Sequence, residues 1–173
     1  MQSALADARV SLPRYSVVVN VRRGDYYSVP RFHRNYGMDI KSYVQSALSE
    51  AAALSNFQHV RIVSDDPQWC RENLRQLEHY GSVDFGPDHR TPMSDLAVLS
   101  TADTLVLANS TFSYWGAYIN GFLHRNEQSQ IWAPRFHARF HNHGNAWQLD
   151  PQWNVIESLP GGWASPEAAK TES

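Results

Sequence analysis

Tyr15 to Val21 reads YSVVVNV, and Arg22-Arg23-Gly24-Asp25-Tyr26 follows it without a gap. A short run that is apolar and β-branched at nearly every position fits a strand covered on both faces, the pattern of a parallel sheet. Ligands of open α/β sheets bind outside the carboxyl ends of the strands, so both arginines stand where such a sheet would hold one. The planar guanidinium fork suits phosphate through bidentate, charge-assisted bonds. Gly24 permits a sharp turn, and Asp25 can orient an arginine or accept a proton. A solvated strand-end cluster, with Asp25 merely paired to Arg22 or Arg23, accounts for the same residues about as well. An adhesion-loop reading of the Arg-Gly-Asp triplet has nothing else in the chain behind it.

Outward from this stretch, strands and helices alternate at a spacing of about 20–25 residues, on the order of one βα unit. Asp39 to Leu54 carries Ile40, Tyr43, Val44, Ala47, Leu48 and Ala51 at helical spacing, with Asp39 as N-cap. Val60 to Val63 predicts a strand that runs into Ser64-Asp65-Asp66-Pro67. There Asp66 can cap and Pro67 can open a helix through about Tyr80, closed by Gly81. Ser82 to Phe85 fits a short strand, Thr91-Pro92 opens a helix through about Ala102, and Thr104 to Ala108 (TLVLA) is another buried strand. Ser113 to His124 predicts a helix and Gln130 to Ala133 a last strand; from Arg135 onward no period is legible. The expected fold is a three-layer α/β domain with a mostly parallel sheet over residues 15–160. A lead-in over residues 1–14 precedes it and a frayed tail over 161–173 follows.

The 173 residues are 42% hydrophobic and 18% charged, enough for one domain with a real core. Fifteen Lys and Arg against seventeen Asp and Glu leave a net charge of −2. A general binder of nucleic acid or of acidic membranes needs a positive excess, so neither partner is expected, and any anion must be met by a few placed groups. The single cysteine, Cys70, excludes an intramolecular disulfide framework and fits a reducing compartment. Inside a helix after Trp69 it reads as a small core residue rather than a nucleophile. No run approaches the ~18 apolar residues of a membrane span, and Met1 to Pro13 lacks a secretory pattern. The expected location is cytoplasmic, peripheral to a membrane at most.

Two further strand ends carry chemistry. In Asn109-Ser110-Thr111-Phe112-Ser113, Ser110 or Thr111 can cap the next helix, whose exposed N–H groups and dipole form an anion site to which the hydroxyls of Ser110, Thr111 and Ser113 add donors. Taken alone, an ordinary N-cap before core aromatics explains the stretch; taken with Arg22 and Arg23, the two sites converge on a diphosphate. At Ser64-Asp65-Asp66 helix capping accounts for Asp66, which leaves Asp65 to hold a metal or to accept bonds from a guanine edge. Neither a P-loop nor a dinucleotide fingerprint is present, and no nucleophile elbow. No D-x-D occurs, which speaks against a metal-bridged nucleotide-sugar site. His137, His141 and His143 read as a polar loop, since zinc needs three or four convergent ligands.

Three stretches together resemble the α-1,2-fucosyltransferases of glycosyltransferase family 11: Asn20 to Tyr26 (NVRRGDY), Ser64 to Trp69 (SDDPQW) and Asp95 to Tyr118 (DLAVLSTADTLVLANSTFSYWGAY). The resemblance covers about residues 15–135. It implies a Rossmann-like domain equivalent to the C-terminal, donor-binding half of a two-domain GT-B enzyme. It further implies that this enzyme transfers fucose from GDP-β-L-fucose to a galactoside-type acceptor, inverts the anomeric centre and uses no metal or other cofactor. Residue by residue, Arg22 looks like the arginine that holds the β-phosphate, with Arg23 its neighbour. Asp65 looks like a guanine-recognising carboxylate, and Ser110, Thr111 and Phe112 look like the loop around the diphosphate. Arg22 would stabilise the charge on departing GDP, and Asp25 is the candidate carboxylate for deprotonating the acceptor hydroxyl.

Two departures from the family pattern stand out. Asn20 occupies the position where the family usually has His; asparagine can hydrogen-bond a nucleotide but cannot be protonated. Only nineteen residues of this sequence precede Asn20, so the expectation is a chain without the half that the family pattern implies for shaping the acceptor site. The expected partners are therefore GDP-fucose and a glycan acceptor, together with a missing N-terminal acceptor half or a second copy in a homo-oligomer. The alternative expectation is a truncated GDP-sugar-binding module with little or no transferase activity by itself.

Overall fold

The computed structural model describes residues 2–87, 90–124 and 129–165. Its strands are β1 (Ser16–Val21), β2 (His59–Ser64), β3 (Ser82–Asp84), β4 (Thr104–Val106), β5 (Gln130–Pro134) and β6 (Asn154–Ile156). They form one sheet in the order β3-β2-β1-β4-β5-β6, and every neighbouring pair is parallel. This is the strand order of the Rossmann fold. The order reverses between β1 and β4, and the crevice at that switch point is where such sheets bind ligands.

All six positions of β1 are buried, as its unbroken apolar reading requires. Val17, Val19 and Val21 pack on one face with Tyr43, Val44 and Leu48 of α4 (Ile40–Leu54). Val18 packs on the other face with Leu99 of α6 (Pro92–Thr101) and Tyr114 and Ala117 of α7 (Thr111–Leu123). The helices begin where the sequence places caps. Asp39, Asp66, Thr91 and Ser110 each accept a bond from the backbone N–H three residues on, and Thr91 with Ser94 closes a capping box. Gly116 lets α7 approach α6 closely, since a Cβ there would lie 2.7 Å from Cβ of Leu99.

Several elements differ from the sequence reading. The helix expected through Tyr80 stops as α5 (Pro67–Asn73), and a 3₁₀ turn (Arg75–Tyr80) follows. The change of pitch at Leu74 drives both Leu74 and Leu77 into the core, spaced by three. α7 starts two residues early, because Thr111 and Phe112 complete its first turn. Two short helices, α2 (Gly24–Ser28) and α3 (Pro30–Tyr36), follow the arginines, and α1 (Gln2–Ser11) packs on α6. The stretch beyond Arg135 has no period because its contacts are long-range and aromatic. Phe136, Trp153, Ile156 and Leu159 are buried, β6 joins the sheet edge, and Trp163 stacks on Phe136 with ring centroids 5.8 Å apart. Of the tail expected to fray over 161–173, residues 161–165 are described and include the packed Trp163 and the buried Ser165, and 166–173 lie outside the described residues. Cys70 is buried, and burial pushes its thiol up to about 11. None of the described helices is long and apolar enough to cross a membrane.

Candidate functional site

A cavity of about 300 Å³ opens over the carboxyl ends of β2, β1 and β4, and Asn20, Arg22, Asp65, Ser110, Thr111 and Phe112 all line it. Six of the seven donor-binding residues expected from the sequence therefore meet in one place. Arg22 Nη1 lies 2.7 Å from Asp65 Oδ2, and Arg22 Nη2 lies 2.5 Å from Asp25 Oδ1, so the guanidinium is held between two carboxylates. Asp65 is fully committed, because its Oδ1 accepts the backbone N–H of Arg23 at 2.8 Å. Gly24 makes this packing possible: at φ +20°, a Cβ would sit 2.4 Å from Asp65 Oδ2.

The seventh, Arg23, has a different environment. Its guanidinium lies between the rings of Tyr27 and Trp69, at 4.0 and 3.9 Å from their centroids, and pairs with Asp66 at 3.1 Å. Buried to 7% exposure, it ties α2 to α5. Asp25, the expected base, does not line the cavity; its half-exposed side chain reaches the site's edge through its pairing with Arg22. Asn20 donates from Nδ2 to the carbonyl of Val63 at 2.9 Å, while its Oδ1 is buried without a hydrogen-bond partner among the described residues.

On the β4 side the wall is backbone. Ser110 Oγ accepts from Ser113 N–H, and the first intrahelical bond is Tyr114 N–H to Ser110 carbonyl. The N–H groups of Thr111 and Phe112 precede that bond at the positive end of the helix. Ser113 adds no donor to the cavity; it is fully buried and its Oγ accepts from Ala108 N–H at 2.9 Å. Asn109 fixes the turn in space. Its buried amide donates to the carbonyls of Tyr36 and His137, at 2.8 and 3.0 Å.

Two residues that the sequence did not single out complete the site. Tyr26 lines the cavity beneath Arg22, and burial, with Tyr36 stacked on it at 4.4 Å, pushes its phenol up to about 12. Asp95, in the first turn of α6, lines both this cavity and a second one of about 230 Å³ between α1 and α6. Burial raises its carboxyl above the ordinary range, opposed by Arg90. Its Oδ1 has no hydrogen-bond partner among the described residues; Arg90 Nε at 3.6 Å is too far, and Arg90 donates instead to the carbonyls of Ser64 and Phe85. Nothing in the local sequence distinguishes Asp95 from an acid that merely complements the helix dipole. The three tail histidines do not converge. His137 is buried and bonded to Tyr114 Oη, and burial, with His141 nearby, pushes its ring below the ordinary histidine value; His141 lies against Trp147.

The model of glycosyl transferase family 11 matches residues 2–157. The chain belongs to glycosyltransferase family 11. Among curated proteins it is 32% identical over 111 residues to a Bos taurus galactoside alpha-(1,2)-fucosyltransferase 1, covering 63% of this chain and 30% of the relative. It is 36% identical over 124 residues to the Bos taurus galactoside 2-alpha-L-fucosyltransferase SEC1, covering 69% and 33%. It is also 27% identical over 104 residues to the Escherichia coli O-antigen biosynthesis glycosyltransferase WbnK, covering 60% and 34%. The matched part thus spans about a third of these relatives. A solved structure of POFUT1 in complex with GDP shares the fold at TM-score 0.54 and 17% identity, covering 75% of this family 11 chain and 46% of POFUT1. One in complex with GDP-fucose gives 0.52 and 16%, covering 69% and 43%.

Proposed function

We propose that this family 11 chain binds GDP-β-L-fucose, without a metal, as the donor-binding part of an inverting galactoside α-1,2-fucosyltransferase. The observation that carries the reading is the single cavity at the sheet's switch point, where Arg22 and the first-turn N–H groups of α7 face each other across β1 and β4. A diphosphate bridges those two elements. The fork takes one phosphate, the helix start takes the other, and both stabilise the charge that develops as GDP departs. In the transfer itself, the acceptor hydroxyl attacks the anomeric carbon from the face opposite GDP. The bond to the β-phosphate oxygen breaks as the new one forms, and the hydroxyl proton passes to a carboxylate.

Asp25 serves as that carboxylate. It is paired with Arg22; phosphate competes for the same guanidinium, so donor binding releases Asp25 as donor and acceptor come together. Base recognition falls to Asp95 better than to Asp65. Both oxygens of Asp65 are occupied by Arg22 and Arg23 N–H, whereas Asp95 offers a buried acceptor to the N1–H and amino group of guanine. Asn20 Oδ1 is a second buried acceptor without a hydrogen-bond partner among the described residues. Asp65 then acts by orienting Arg22.

Calorimetric titration with GDP and GDP-fucose, in chelator and again with Mg²⁺ or Mn²⁺, tests the donor site. Saturable binding that is indifferent to divalent ions is expected; no binding, or binding only with the ion, overturns it. The second reading is a donor-binding module with little turnover, supported by a cavity lined by the residues expected to hold the donor. Positioning an acceptor against a donor accounts for about 7–11 kcal/mol of barrier lowering, and of the groups assigned so far only Asp25 addresses the acceptor. Following GDP release and fucosylated galactoside together separates the two readings. Transfer near the ~10 s⁻¹ typical of enzymes supports the transferase, whereas donor hydrolysis that rivals transfer supports the module.

A further inference from the structure

We propose that an aromatic wall running outward from the cavity, from Tyr26 through Tyr36 to Phe140 and Trp147, is the platform on which the acceptor's pyranose ring stacks. The proposal rests on the donor site described above and adds the acceptor's place beside it.

The wall is continuous. Tyr26 lines the cavity and stacks on Tyr36 at 4.4 Å; Tyr36 meets Phe140 edge-on at 5.7 Å and His137 at 6.0 Å; His137 meets Trp147 at 5.6 Å. Its inner members are buried or half-buried, but Phe140 is 64% exposed and Trp147 56% exposed. Sheet order gives the wall its place relative to the nucleotide. Asp95 shares the cavity with Val63 at the end of β2, and Arg22 and Thr111 follow β1 and β4. The wall's outer rings follow β5, the next strand over. A nucleotide laid from Asp95 to Thr111 therefore points its far end toward the wall.

The loop that carries Phe140 and Trp147 is tightly held. Its tip takes three successive residues through the left-handed region, Asn142 at φ 48°, His143 at φ 53° and Gly144 at φ 92°. Such a conformation persists only where the surroundings over-determine it, and it gathers at ligand sites. The surroundings do so here. Phe136 bridges Asn145, His137 N–H donates to Gly144 carbonyl and Ala146 N–H to Arg135 carbonyl, both at 2.7 Å. Asn109 then ties His137 to the turn that closes the cavity.

The chemistry suits a sugar. A pyranose offers an apolar C–H face and a rim of hydroxyls, which match aromatic faces with polar edges. In a β-galactoside the axial 4-hydroxyl leaves H3, H4 and H5 together on one face, so that face lies flat on an indole. A purine would also stack, and the experiment distinguishes the two.

Saturation-transfer NMR with methyl β-D-galactoside, on the chain with and without GDP, reads the contact directly, while calorimetry reads GDP affinity separately. Transfer strongest to H3, H4 and H5 is expected. Galactoside affinity should fall roughly tenfold in Trp147→Ala, the loss expected for one stacking ring, and recover in part in Trp147→Phe, with GDP affinity and melting temperature unchanged in both. Phe140→Ala gives a second variant should the first fail to fold. Galactoside transfer indifferent to both substitutions overturns the proposal, as does none to the parent chain. A loss of GDP affinity in Trp147→Ala overturns it in favour of the base. Self-association of the parent abolished by Trp147→Ala overturns it in favour of a protein partner. Failure of GDP to bind, with the galactoside pattern intact, would count against the donor reading alone.

Discussion

At the end of β1 the cavity wall is made of charged side chains that already hold one another; at the end of β4 it is made of the backbone of a helix's first turn. Arg22 sits between Asp25 and Asp65, so a phosphate must compete with two carboxylates for the same fork. Thr111 and Phe112 present N–H groups whose positions are set by Ser110 and Asn109, and no competing acceptor has to leave. The first wall supplies formal charge, at the cost of exchanging partners; the second supplies a weaker field that is already in place. Placed groups of this kind can meet an anion without a net positive charge, which suits a chain at −2.

The contrast breaks most visibly at Arg22. Arg22→Ala should weaken GDP binding by about 2–4 kcal/mol, the loss expected when a charged hydrogen-bonding partner of a phosphate is removed. Calorimetry checks it, and a loss below about 0.5 kcal/mol would mean that the backbone wall does the binding alone. On the β4 side the comparable lesion is Asn109→Ala. It strands the buried carbonyl of His137 and the part-buried one of Tyr36, and should cost about 2–3 kcal/mol of stability. A domain of this size loses roughly 2–4 °C of Tm per kcal/mol, so thermal denaturation reads it easily. An unchanged Tm would show that the turn holds its shape without Asn109.

These two residues also mark how far the sequence could be read. The strands were legible because burial on both faces leaves an apolar run, and the caps because Asp39, Thr91 and Ser110 carry the side chains that caps need. The convergence of Arg22 with the start of α7 was legible because both follow strands. The division of labour between Arg22 and Arg23 was not. Two adjacent arginines look alike until Trp69, far along the chain, takes one of them into a cage with Tyr27. Asp95 was hidden by its ordinary place in a first helical turn, and the aromatic wall by a loop whose contacts have no period.

Ser110 sharpens the comparison from the backbone side. Its hydroxyl caps Ser113 N–H and is itself almost fully buried, so Ser110→Ala removes the cap without touching any charge. A stability loss of about 1 kcal/mol is expected, with GDP binding weakened by less than in Arg22→Ala. Denaturant midpoints and calorimetry on the same preparation give both numbers. Should Ser110→Ala weaken GDP as much as Arg22→Ala does, the two walls would be equal partners and the contrast between them would fail.

The start of α6 lines the same cavity, and Asp95 asks whether a lone carboxylate there belongs to the charged wall or stands apart from it. Burial raises its carboxyl above the ordinary carboxylate value, and Arg90 only partly offsets this. A raised acid holds more protons folded than unfolded between the two values. Stability therefore falls as pH rises through that window, and the full penalty remains above it. Asp95→Asn removes the titration while keeping the shape. Arg90 stays satisfied by the carbonyls of Ser64 and Phe85. The variant should thus be more stable than the parent at pH 7, by well under about 1 kcal/mol because the Arg90 attraction is lost as well. The difference should vanish near pH 3, where the parent's carboxyl is protonated in both states. Denaturant midpoints at the two pH values measure it. A variant less stable than the parent at pH 7 would show that the Arg90 attraction outweighs burial at Asp95, and would move the start of α6 into the charged wall.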